Sequence, residues 1–88
     1  MAEALIAAAP QDVFEALERS RKVAAVREAL ASSPYRPLHQ VEVDFDQGQV
    51  ALRGIINSYY LKQLAQTLAL KTIGNGHVFN GLDVTATP

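Results

Sequence analysis

The side chains with chemical potential in this chain are few and scattered. His39 and His77 are the only histidines and there is no cysteine, which leaves out disulfides, thiol nucleophiles and thiolate zinc sites. No His-Glu-x-x-His run and no close acidic pairing accompanies either imidazole. A metal site or acid–base catalysis is therefore not expected, and both histidines read as surface residues. An enzymatic role would need a carboxylate supplied across a subunit boundary. Gly74-Asn75-Gly76 has the glycine content of a phosphate loop. A KH loop, however, needs Gly-x-x-Gly between two helices, and a P-loop needs Gly-Lys-Ser/Thr after a strand. The segment is expected to stop a helix, with no cofactor and no nucleic acid as partner.

The remaining candidates are contact residues. Arg19, Arg21, Lys22 and Arg27 form the only basic cluster and could engage lipid phosphates, at about 1 kcal/mol per basic group near an anionic surface. Glu15, Glu18 and Glu28 stand three or four residues away and can pair with them, which makes a solvated helix face the plainer account. Tyr59 and Tyr60 open a helix, with Tyr60 beside its buried stripe. Tyr59 points away near Leu70, and these two suit an exposed apolar contact. On an open sheet face Ile55 and Phe79 are expected to sit near each other with Ala51 and Gly81, a small apolar area among Glu42, Asp44, Arg53 and Asp83 where a protein or a lipid surface could dock.

These residues need elements to hold them. From Asp12 to about Ser32 the chain is rich in Ala, Leu, Glu, Arg and Lys without Gly or Pro, which favours a helix ended by Pro34 and Pro37. Its apolar stripe is displaced: Val13, Ala16 and Leu17 cluster on one side, and Val23, Val26 and Leu30 on another. Either the helix breaks near Ser20, or it continues and its first half buries Val13, Phe14 and Leu17 against another surface, such as a second copy. After the prolines the period becomes two. Val41, Val43 and Phe45 alternate with acids, Asp46-Gln47-Gly48 turns the chain, and Val50, Leu52, Gly54 and Ile56 form the inward side of a second strand. Ser58 can cap a second helix carrying Leu61, Leu64, Ala65, Leu68 and Ala69. A last strand presents Val78, Leu82 and Val84 inward, with Asn80 in phase as a structural amide.

The expected fold is α+β, a two-layer sandwich in the order α-β-β-α-β, with a three-stranded mixed sheet and both helices on one face. The strand order is left open. Residues 1–11 read as an extension, 12–85 as one domain and 86–88 as a frayed tail. A net charge of -1 gives no overall field toward nucleic acid or anionic membranes. The apolar run Ala4–Ala9 stops at Pro10 without a preceding basic region. As given, the chain therefore reads as cytoplasmic, or periplasmic if an export signal has been removed.

The spacing Val41-x-Val43, Gly48-x-Val50-x-Leu52-x-Gly54-x-Ile56-x-Ser58, a helix, Gly74, then Val78-x-Asn80-x-Leu82-x-Val84 resembles the BON domain over roughly residues 22 to 85. In that family a Gly-Val pair leads into the last strand, and here Asn75 replaces the Val. The resemblance implies a binding module associated with phospholipid surfaces and protein attachment and not with catalysis. Its partner would be a protein or a second copy, with an anionic phospholipid surface as the alternative.

Overall fold

A computed structural model of the chain describes residues 10–74 and 76–85, with side chains from Val13 onward. The apolar run before Pro10, the turn residue Asn75 and the tail after Thr85 lie outside the described residues. The first element, α1, is Pro10–Ala31, a single uninterrupted helix of 22 residues. It passes through Ser20 without a break, so of the two arrangements the displaced stripes allow, the continuous helix is adopted. Its described part begins at Pro10, ahead of the expected Asp12.

A 3₁₀ turn at Arg36–Gln40 follows, an element that hydrophobic periodicity does not announce. Pro37 sits in its first turn with a fixed φ, and the turn drives Leu38 completely into the core. Strands β1 (Glu42–Asp46) and β2 (Gln49–Ile56) then pair antiparallel, Val43 opposite Leu52 and Phe45 opposite Val50. Gln47 at φ 51 and Gly48 at φ 80 make the turn, both left-handed, which matches the twist of the flanking strands. Helix α2 spans Tyr59–Ile73: the Ser58 hydroxyl accepts the Leu61 N–H at 3.1 Å at its start, and Gly74 ends it at φ 81. Strand β3 (Val78–Val84) runs parallel to β2, which lies in the middle of the order β1-β2-β3.

The molecule is thus the mixed α+β sandwich expected, with α1 and α2 packed on each other and on the same side of the sheet. Val26 and Leu30 of α1, Leu38, Val50, Leu52, Ile56 and Leu82 are fully buried between the layers. Ala65 and Ala69 carry no side chain beyond Cβ, so α2 can approach the sheet closely there, and both are fully buried. No described helix is long and apolar enough to cross a membrane.

Asn80 is the polar member of the inward row, and its amide is fully engaged. Nδ2 donates to the Lys62 carbonyl at 2.9 Å and to Gln66 Oε1 at 3.2 Å, while Oδ1 accepts the Leu82 N–H at 3.3 Å. It ties β3 to α2, the structural role its position suggested. Asn80→Ala should cost about 1–2 kcal/mol of stability, because three part-buried bonds are lost together. Urea unfolding checks this, and an unshifted midpoint would deny Asn80 that role.

Both outer strands have main-chain groups occupied by side chains. On β1 the Val43 carbonyl accepts from Arg27 Nη2 at 3.1 Å, and the Phe45 N–H donates to Asp44 Oδ1 at 2.8 Å. On β3, the bonds from Val50 N–H to the His77 carbonyl and from Thr85 N–H to the Ile56 carbonyl set the phase of the ladder. They turn the odd-numbered main-chain groups toward β2 and the even-numbered ones outward. The Leu82 N–H filled by Asn80 is one of the outward groups.

Candidate functional site

Three surfaces hold the candidate residues. The first is the leading half of α1. Twenty-two helical residues span about 33 Å and the five of β1 about 17 Å, so the helix must outrun the strand beside it. Arg27 lies against Val43, and Arg19 stacks over the Phe45 ring at 5.9 Å. Moving toward the start of α1 therefore means moving to the hairpin end of β1 and past it. Val13, Phe14 and Leu17 fall on this overhang and are 54%, 62% and 57% exposed. The displaced stripe seen in the sequence is thus a real second apolar face, and no described residue covers it.

The basic residues divide between two sides of the helix. Consecutive helical residues turn by about 100°, so Arg19 and Lys22, three residues apart, share one side while Arg21 points to the opposite one. Arg19 is drawn onto Phe45 and Arg27 onto Val43, both toward β1, while Arg21 stands exposed. Between α1 and β1 the groove lined by Ala16, Ser20, Val23 and these arginines has a volume of about 420 Å³ and opens broadly to solvent.

The second surface is the tyrosine corner, and here the sequence reading needs correcting. Tyr59 and Leu70 lie on one side of α2 but three turns apart, about 16 Å along the axis, so they do not make one contact area. Lys62 stands over the Tyr59 ring at 5.8 Å. Tyr60, next to buried Leu61, is itself exposed and meets Tyr35 edge to face, the ring centroids 6.1 Å apart. Tyr35 was missed, since a lone aromatic between Pro34 and Arg36 carries no periodic signal. Its phenol, first as a hydrogen-bonding neighbour and then as a charge, holds the Tyr60 hydroxyl above the ordinary value of 10.0. Tyr35→Phe should lower the midpoint of Tyr60 ionisation. A phenolate absorbance titration checks this, and an unmoved midpoint would remove Tyr35 as the cause.

The third surface is the open face of the sheet, which the pairing register lays out in rows. Asp44, Ala51 and Phe79 share one row, Glu42, Arg53 and Gly81 the next, and Ile55 and Asp83 the last. Ile55 and Phe79 are therefore two rows apart, roughly 13 Å along the strands, and not neighbours as expected from the sequence. Ala51 belongs to this face but is 0% exposed, its short side chain sunk between Asp44 and Phe79. The Phe79 ring lies along its own strand over Gly81, where an added Cβ would come within 2.7 Å of Phe79 Cε2. Arg53 stands over that ring at 5.7 Å from its centroid and bonds Asp46 Oδ2 at 3.1 Å.

The imidazoles take no part in these surfaces. His39 Nε2 lies 2.6 Å from the Ser33 carbonyl, which can only accept, so the ring donates there and pins the loop after α1. Among the described residues no three His, Asp or Glu side chains gather closely enough to hold a metal ion.

The arrangement of two helices on a mixed sheet in the order α-β-β-α-β, with Gly54 at φ 133 in β2 and Ser58 capping α2, carries the spacing noted in the sequence. The sequence model of the BON domain matches residues 20–86, well over half of the chain. The chain belongs to the BON domain family. No curated protein and no solved structure matches it. BON domains are binding modules, and Val13, Phe14 and Leu17 all precede residue 20, so this apolar face lies outside the matched span.

Proposed function

We propose that this BON domain is a non-enzymatic interaction module that self-associates through the first half of α1 and offers its open sheet face to a protein partner. The exposure of Val13, Phe14 and Leu17 together on a helix that has left the core behind is the observation that carries the reading. Single exposed apolar side chains are ordinary, but three large ones within five residues form a contiguous patch, and water is excluded from such patches by association. A second copy is the simplest cover because it brings an identical patch, and two-fold pairing of like with like closes without leaving a further patch exposed.

Light scattering over a range of protein concentrations tests the reading. A mass that rises from one chain to two with concentration supports it, and a single-chain mass throughout overturns it.

A further inference from the structure

We propose that the open sheet face receives a cationic segment of a protein partner, one in which Lys or Arg side chains flank an aliphatic residue. The inference rests on the reading above that this face meets a protein, and it names the chemistry of that protein. Charge is unevenly divided over this molecule. Four of its nine acidic side chains, Glu42, Asp44, Asp46 and Asp83, lie on this one face, against the single base Arg53. Arg53 is itself held by Asp46 and by the Phe79 ring, which leaves Glu42, Asp44 and Asp83 exposed with no ion pair to any described residue.

The three carboxylates surround the apolar parts. Asp44 lies at one end of the Ala51–Phe79 row, Glu42 at the end of the Arg53–Gly81 row, and Asp83 beside Ile55, which is 71% exposed. A ligand must therefore satisfy negative charge at the rim and cover a flat aromatic ring and an isoleucine within. Anionic lipid headgroups would meet a face with three more negative than positive charges and be repelled from it. An alternation of cations and aliphatic side chains fits, and Phe79 is already fixed over Gly81, so little ordering is needed on binding.

The test uses the full chain and a synthetic peptide of alternating lysine and leucine, with amide chemical shifts as the readout. The expected result is a shift concentrated at Ala51, Ile55 and Phe79, and binding that weakens as salt is raised. Glu42→Gln, Asp44→Asn and Asp83→Asn together should weaken it about tenfold, since each exposed pair contributes a fraction of that. These isosteric changes are at exposed positions, and the amide oxygen that replaces the Asp44 carboxylate would still accept the Phe45 N–H, so circular dichroism should be unchanged. Equal shifts with an alternating glutamate–leucine peptide, shifts on α1 alone, no binding, or docking of phosphatidylglycerol vesicles on this face would each overturn the proposal. Loss of the dimer in the triple variant would also overturn it, by making the face an interface between copies. That last outcome would move the copy–copy contact off α1 as well, whereas the others do not bear on the concentration dependence of mass in the unaltered chain and leave the self-association through α1 standing.

Discussion

A chain carrying Phe14→Glu and Leu17→Glu is expected to stay monomeric at concentrations where the unaltered protein pairs, with its dissociation constant raised at least about a hundredfold. Two large apolar contacts would be replaced by carboxylates that face their own copies across a two-fold axis. The truncation of a central interface residue costs about 2 kcal/mol or more, and a factor of ten is 1.4 kcal/mol. The same substitutions should leave the unfolding free energy of the monomer within about 0.5 kcal/mol, because neither side chain touches the core. Sedimentation equilibrium measures the first quantity and urea unfolding of dilute protein the second. A variant that pairs as tightly as the original would place the interface elsewhere.

The second large effect belongs to the core. Leu52→Ala should cost roughly 3–5 kcal/mol, near the whole stability of a domain this small. Leu52 is fully buried at the centre of the middle strand, with Val43 beside it on β1 and Asn80 on β3, so the void cannot close by movement of an edge. Ile55→Ala, on the opposite face of the same strand, removes a side chain that is mostly in water and should change stability by less than about 0.5 kcal/mol. The contrast between two positions three residues apart tests the strand phase directly, provided both are measured at one protein concentration, since the proposed pairing would add to apparent stability. Equal costs at the two positions would be incompatible with the sheet described.

Most of this architecture is written in local periodicity. Val41 to Ile56 alternates with period two, and the burial of Val43, Val50, Leu52 and Ile56 follows it position by position. Leu61, Ala65 and Ala69 follow the helical period in the same way, and Ser58 caps as its type and place imply. What was not legible has a common cause. The 3₁₀ turn that buries Leu38 is too short for a period to develop. The distance between Ile55 and Phe79 depends on the parallel register of β2 and β3, a non-local quantity. The acids of the open face were visible, since Glu42, Asp44 and Asp83 each fall out of phase with the inward residues of their strands. What the strand order adds is that Asp83 stands on the opposite border of the face from Glu42 and Asp44, with β2 between them. The separation of Arg21 from Arg19 and Lys22, by contrast, was legible, because helical residues two apart face opposite ways while those three apart share a side.

The side chains that occupy the outward main-chain groups of β1 and β3 have a consequence for behaviour in crowded solution. Arg27 and Asp44 on one border, and Asn80 on the other, stand where an extended chain would have to add its own hydrogen bonds. Growth of the sheet from molecule to molecule, the first step toward amyloid-like fibrils, is obstructed on both sides. Any assembly of the proposed kind is thereby left to side chains, whose affinity evolution can adjust one residue at a time without remaking the backbone.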